Sequence, residues 1–238
     1  MKNLLGTPFN IEGQDAFNLD TIILADFTKL PRNTKTILDF GTGAGALMFY
    51  LSLKNKTSKI IGIEIQEKRA LLAKENIIHN HLEDRLSVLN EDIRNIKFEE
   101  VDFIICNPPF FKYQIDSNIS KFEEQQIARH EIYLTLEDVI KKISECLKCK
   151  GQFSIIHRPS RLEEILRLFA KYNLVLKRLK FVYPKRRGEA NHLLIQGGKG
   201  YELGLIIEPP LFVYENDTTH TEEMTSIYKG RSYSEDSK

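Results

Sequence analysis

Apolar residues in this chain occur either in short continuous runs or at a spacing of three to four. The runs at 34–40 (TKTILDF), 59–64 (KIIGIE), 86–89, 101–106 (VDFIIC) and 152–157 predict buried strands. Helical spacing predicts helices over 46–53, 67–80, 136–147 and 162–172. In 67–80 the apolar positions are Ala70, Leu71, Ala73, Ile77 and Ile78. In the last helix they are Leu162, Ile165, Leu166, Leu168 and Phe169. One more helix is predicted over 21–30, stopped by Pro31. Strands alternating with helices predict an α/β fold, a mostly parallel sheet covered by helices on both faces. The runs at 174–183, 192–196 and 202–206 follow one another with no helix between them, so an antiparallel C-terminal edge is expected. Residues 216–238 are polar and poor in branched apolar side chains, and loose order is expected there.

The 238 residues can bury a core of their own. A composition of 42% hydrophobic and 28% charged residues excludes a disordered chain. Cys106, Cys146 and Cys149 are an odd number, which excludes a secreted disulfide framework and points to the cytoplasm. Cys146 and Cys149 form a C-x-x-C with no second pair or histidine cluster nearby, so no metal is expected. No apolar run approaches the roughly 18 residues of a membrane span, and no signal peptide is expected. The net charge of +1 hides an uneven distribution. Residues 1–170 carry 23 Lys+Arg and 24 Asp+Glu, residues 171–187 carry 7 and none, and residues 188–238 carry 4 and 9. The basic stretch, with Phe181 and Tyr183 interleaved, suits nucleic acid.

Two motifs carry chemistry. Asp39-Phe40-Gly41-Thr42-Gly43-Ala44-Gly45 lies between a predicted strand and a predicted helix. Small residues there admit close approach of a ligand to the backbone, and the helix start offers free N–H groups. Glu64, ending the next strand, is placed to accept from ribose hydroxyls, and Asp92, after the third, from an adenine amino group. Asp39 is badly placed beside a pyrophosphate but suits a cofactor carrying an ammonium and a sulfonium, S-adenosylmethionine. With Phe40, Ile65, Ile93 and Asn107 these residues (Asp39, Gly41, Gly43, Gly45, Glu64, Asp92) form the expected cofactor site. The second motif is Asn107-Pro108-Pro109-Phe110, after the fourth strand. Its two prolines stiffen the loop and remove two donors, so it presents the Asn107 side-chain carbonyl and the Pro108 backbone carbonyl. Two acceptors that grip both hydrogens of an exocyclic or amide nitrogen can aim its lone pair at a methyl group. Phe110 is placed to stack on a flipped base.

The order of these motifs resembles the class I S-adenosylmethionine-dependent N-methyltransferases over residues 34–160. The blocks at 128–138 (ARHEIYLTLED), 157–159 (HRP), 181–185 (FVYPK) and 189–191 (EAN) are similar to the bacterial tRNA (adenine-N6)-methyltransferases, which modify adenine 37, next to the anticodon, in valine tRNA. Phe110 stands where that branch more often has Tyr. The resemblance implies a Rossmann-like methyltransferase domain over 34–214, a segment 1–33 that closes over the cofactor through Phe17, Asp20 and Thr21, and a polar tail from 215. It implies Asn107, Pro108, Pro109 and Phe110 as catalytic residues. Arg129, His130, Arg158, Lys177, Arg178, Lys180, Lys185, Arg186 and Arg187 are the residues expected to touch the tRNA anticodon loop. Methylation of guanine-N2 in ribosomal RNA or of a release-factor glutamine, an NAD-dependent oxidoreductase and a non-catalytic RNA-binding module are the competing readings.

Overall fold

The computed structural model describes residues 2–13, 18–108 and 134–231. A short antiparallel pair, β1 (Lys2–Asn3) and β2 (Asn10–Ile11), precedes helix α1 (Leu19–Phe27). The chain continues through β3 (Thr36–Phe40), α2 (Ala46–Lys54), β4 (Lys59–Glu64), α3 (Glu67–His79), β5 (Leu86–Asn90) and β6 (Val101–Cys106). Beyond the residues not described come α4 (Leu136–Cys146), β7 (Leu147–His157), α5 (Leu162–Lys171), β8 (Leu174–Tyr183) and β9 (His192–Lys199). Two short strands, β10 (Ile206–Ile207) and β11 (Leu211–Phe212), and helix α6 (Glu222–Tyr228) follow.

Nine strands form one sheet in the order β10-β8-β9-β7-β6-β3-β4-β5, with β11 also on β8. Strands β3 to β7 are mutually parallel, and β9 runs antiparallel to both its neighbours, as the sequence predicts. All six residues of β6 are buried, which is what a parallel strand covered on both faces requires. Side chains of β3 alternate between two cores: Ile37 packs with α1, α2 and α3, while Leu38 and Phe40 pack with α4 and α5.

The strand expected over 152–157 begins at Leu147, the β1–β2 pair and β11 have no counterpart among the expected elements, and other elements depart from expectation as well. Helix α1 begins at Leu19 because the Asn18 side chain caps it, accepting from Asp20 N at 3.2 Å. The strand expected over 202–206 shrinks to β10, with positive φ at Gly200 and Gly204 just before it. The tail expected to be loose is folded over 216–231. Thr221 caps α6, Met224 and Ile227 are buried in the α1–α3 core, and Arg231 Nη2 pairs with Asp26 at 2.9 Å. Two apolar residues three apart suffice to dock one face of so short a helix, too few for the composition to reveal.

Candidate active site

The glycine loop is held by backbone bonds that leave one side bare. Gly41 N and Thr42 N both donate to Ile63 O, at 2.9 and 3.1 Å, fixing the exit of β3 against the end of β4. Gly41 (φ 71°) and Gly43 (φ 57°) take left-handed conformations, and a Cβ added at either would meet nothing within 4 Å. That open side is the wall of a cavity of about 590 Å³. Behind the loop, a Cβ on Gly62 would lie 2.6 Å from both Met48 Sδ and Thr42 Cγ2, so β4 must be bare there for the loop to settle. Asn76, fully buried on α3, donates to Ala44 O and to Glu12 O at 3.0 Å and accepts from Glu12 N at 2.8 Å. It ties the loop to the N-terminal segment. Neither Gly62 nor Asn76 carries a local sequence signal.

The three acids occupy different layers. Glu64 is on the cavity wall, its Oε2 accepting from Gly43 N at 2.9 Å and its Oε1 from Gln66 N at 2.8 Å. Each oxygen keeps a second lone pair for a ligand hydroxyl. Asp92 is also on the wall. Burial alone would raise its pKa, but the side-chain and backbone hydrogen bonds from Arg94 outweigh that and hold it below the usual carboxylate value. Asp39 is fully buried and lies behind the wall. Its Oδ2 accepts from the Thr42 hydroxyl at 2.6 Å, and its Oδ1 has no partner among the described residues. Burial raises its pKa to about 7, the Thr42 bond opposes this, and the Glu64 charge adds to it. Gly45 too lies off the wall, where it caps α2 with φ 91°. Phe40, Ile65, Ile93 and Asn107 line the cavity.

Asn107 and Pro108 leave β6 on the same wall. Pro109 and Phe110 lie outside the described residues, as do Phe17, Arg129 and His130. Asn107 Nδ2 donates to Thr21 Oγ1 at 3.4 Å, so its carbonyl oxygen remains to accept from a substrate. Asn18, Asp20 and Thr21 at the start of α1 share this wall. Asp20 Oδ1 lies 2.9 Å from Nε2 of His192 on β9, a residue that no sequence motif singles out. Cys106 also reaches the wall, but burial and the nearby Asp39 push its thiol well above the ordinary value, which disfavours the thiolate.

The basic stretch divides in space. Arg178 is committed inside the protein: its Nε donates to Glu208 at 2.8 Å, and Nη1 and Nη2 to Phe27 O at 3.2 Å. Lys180 pairs with Glu223 of α6 at 2.9 Å, and both cationic side chains are only 12% exposed. Arg178 and Lys180, expected to reach RNA, are thus engaged by acids from the C-terminal part that fold back onto them. Lys177 donates to Glu202 O at 3.1 Å, near the amino end of β8, away from the cavity. Lys185, Arg186 and Arg187 are exposed at its carboxyl end, and Arg158 lines the cavity.

The residues present fit S-adenosylmethionine. Two bare glycines leave room for a ligand against the backbone, and Ile65 and Ile93 offer apolar surface beside Asp92. The unpartnered Asp39 oxygen behind the loop favours a cationic occupant, whose charge would draw that carboxyl towards its ionised form.

A family model described as the methyltransferase small domain matches residues 14–183. A tRNA1(Val) (adenine(37)-N6)-methyltransferase of Bacteroides thetaiotaomicron is 28% identical over 204 residues, covering 85% of this chain and 78% of the relative. One from Porphyromonas gingivalis is 32% identical over 163 residues, covering 66% and 63%. Among solved structures, a predicted O-methyltransferase from Agrobacterium tumefaciens superposes with TM-score 0.70 at 21% identity, covering 90% of this chain and 97% of its own. A geranyl diphosphate C-methyltransferase from Streptomyces coelicolor, crystallised with S-adenosyl-L-homocysteine, superposes with TM-score 0.58 at 16% identity, covering 75% and 78%. These two show the fold. The family model spans well over half of the sequence and includes the glycine loop, Glu64 and Asn107, so the chain belongs to the methyltransferase small-domain family.

Proposed function

We propose that this chain methylates the exocyclic N6 amine of an adenine in tRNA, adenine 37 of valine tRNA, using S-adenosylmethionine. The observation that carries the reading is the placement of Asn107-Pro108 on the same cavity wall as Gly41, Gly43 and Glu64. It puts acceptors for an amine next to a cradle for the cofactor. The names of the tRNA-modifying relatives supply the substrate.

When bound, the cofactor supplies a methyl group on a positively charged sulfur. Glu64 would accept from its ribose hydroxyls, Asp92, held below the usual carboxylate value by Arg94, would accept from its adenine amine, and Ile65 and Ile93 would pack on its base. Asp39 acts from behind, through Thr42 and its own field. Asp20 and Thr21, on the cavity wall, would lie at the methionine end. The lone pair of an adenine N6 is delocalised into the ring, so the nitrogen is a poor nucleophile. The Asn107 and Pro108 carbonyls would accept hydrogen bonds from its two N–H groups, orient the lone pair and stabilise the positive charge that develops on nitrogen. The nitrogen gains the methyl as the methyl–sulfur bond breaks and a neutral thioether is left, and it then loses one proton to water. The target adenine reaches these acceptors by leaving its stack. Among the described residues there is no cluster of metal ligands, and no helix is long and apolar enough to cross a membrane. The cytoplasm, where tRNA is matured, is the proposed place of action.

The test is transfer of labelled methyl from S-adenosylmethionine to unmodified tRNA, ribosomal subunits and release factors, with Asn107→Ala as control. N6-methyladenosine in tRNA, at least about a hundredfold less of it with Asn107→Ala, and cofactor affinity within a few-fold of wild type are expected. Label in ribosomal RNA or protein replaces the substrate. Equal activity of Asn107→Ala removes the mechanism.

A further inference from the structure

The uneven charge of the chain takes a definite shape at the carboxyl edge of the sheet. β8 lies antiparallel to β9, and β9 antiparallel to β7, so β8 and β7 end on the same edge as Asn107. Lys185, Arg186 and Arg187 leave the sheet there, and Arg158 leaves β7 onto the cavity wall. Arg158 Nη1 donates to Asn191 O at 3.1 Å, joining the cavity mouth to the far end of the basic loop.

An acidic turn is fastened on top of this loop by its backbone. Val213 N donates to Tyr183 O and Tyr214 N to Pro184 O, both at 2.9 Å. The turn closes on itself through Glu215 N to Thr219 O at 2.9 Å, and Asn216 Oδ1 accepts from the amides of Thr218 and Thr219 at 3.0 and 2.9 Å. The stacked rings of Tyr214 and His220, centroids 4.6 Å apart, brace its base. This frame delivers Asp217 to Lys185 and brings Glu215 within 3.5 Å of Arg186.

We propose that Arg158, Lys185, Arg186 and Arg187 form a phosphate-binding surface for the RNA substrate beside the cavity, and that the carboxylates of Glu215 and Asp217 occupy it in the free protein until RNA phosphates displace them. The proposal rests on the reading that the substrate is RNA. The exchange is easy because the two carboxylate side chains are 53% and 86% exposed, and exposed pairs hold weakly. A phosphate also matches the arginine fork in a way that the single Glu215 carboxylate oxygen does not. The turn's backbone bonds need not break, so only side chains move. The acids lower affinity for RNA in general and leave the cofactor site alone.

The test compares the full-length protein with the Glu215→Gln/Asp217→Asn variant, the Lys185→Gln/Arg186→Gln variant and the combination of all four substitutions. Binding is measured by fluorescence anisotropy, at one fixed salt concentration, to whichever RNA accepts label in the transfer assay. Neutralising the two acids tightens RNA binding about two- to thirtyfold, the range for two exposed ion pairs. The gain disappears when Lys185 and Arg186 are also neutral, and S-adenosylmethionine affinity is the same throughout. Unchanged RNA affinity without the acids overturns the proposal, as does a gain that persists without Lys185 and Arg186. Absence of label from every RNA pool overturns the functional reading, and this surface with it.

Discussion

Asp20 on α1 and His192 on β9 meet at 2.9 Å, and the other ring nitrogen of His192 lies 3.0 Å from Asn191 Oδ1. The imidazole is thereby fixed from two sides, and through it the start of α1 is fixed to the carboxyl edge of the sheet. The next residue, Thr21, accepts from Asn107. Asp20 therefore lies one residue from the partner of Asn107, on which the proposed mechanism depends. Asp20→Ala is expected to lower stability by about 2 kcal/mol, the scale of a charge-assisted hydrogen bond between mostly buried groups. It is also expected to lower kcat by at least about tenfold through misplacement of the reacting amine. Asp20→Asn keeps an oxygen facing His192 and recovers most of both. Thermal melts and a kcat against KM comparison check this; a loss of stability with kcat intact would reduce Asp20 to a structural tie.

Gly41, Gly43 and Gly62 are bare for different reasons, and alanine at each should fail differently. At Gly41 and Gly43 the new methyl meets no protein atom but projects into the cavity from a left-handed backbone. Each substitution is expected to cost about 1–2 kcal/mol of stability and, beyond that, to weaken S-adenosylmethionine binding by at least about tenfold. At Gly62 the φ is ordinary, but the methyl would press on Met48 and Thr42 at 2.6 Å. Overpacking of that kind costs about 1–3 kcal/mol. Melting each variant with and without cofactor separates the two patterns: Gly62→Ala lowers both curves, whereas Gly41→Ala and Gly43→Ala lose the cofactor-induced shift.

Two buried groups give stability opposite pH dependences. Burial raises Asp39 from 3.8 to about 7, so between those values the folded chain holds a proton that the unfolded chain releases. Its contribution is full at low pH and is lost as pH rises to about 7. His157 behaves the other way. Burial, helped by the charge of Arg161, lowers it from 6.5 to about 4, so its contribution is full above 6.5 and is lost as pH falls towards 4. The windows overlap and the slopes oppose, so the wild-type profile is flatter than either group alone would make it. The readout is the difference between variant and wild type in denaturant melts from about pH 4 to about pH 8, which spans both windows. Asp39→Asn is expected to gain stability relative to wild type as pH rises, and His157→Gln to gain it as pH falls. A difference that does not vary with pH refutes the shift in that group.

The parallel half of the fold was legible because its signals are local. VDFIIC is an unbroken apolar run that only a doubly covered strand explains, and the loop at 41–45 announces itself by its glycines. Asn107 and Glu64 were legible because each follows or ends a strand, and strand ends share one edge. What was missed depends on partners distant in sequence. The acid count of zero in 171–187 suggested a free basic face, but Glu208, Glu223 and Asp217 return to Arg178, Lys180 and Lys185 from the C-terminal part. Asn76 and His192 look like any polar residue on a helix or strand until the fold sets Ala44 and Asp20 beside them.

That division of the basic stretch makes its own prediction. Arg178 is held by Glu208 and Phe27 O, with its guanidinium 4.4 Å from the Phe27 ring centre, and its removal leaves the Glu208 carboxylate to the exposed Lys29, 3.7 Å away. Arg178→Gln is expected to cost about 2 kcal/mol of stability, the scale of lost hydrogen bonds to a charged group, and to leave RNA affinity per folded molecule unchanged. Neutralising Lys185, Arg186 and Arg187 together should do the reverse, because all three are exposed. Stability changes little, RNA binding weakens, and the slope of log affinity against log salt becomes shallower by about 0.7–0.9 for each phosphate that is no longer neutralised. Melting curves and salt titrations on the two variants decide it. A shallower slope with Arg178→Gln, at a temperature where it is fully folded, would return that residue to the RNA surface.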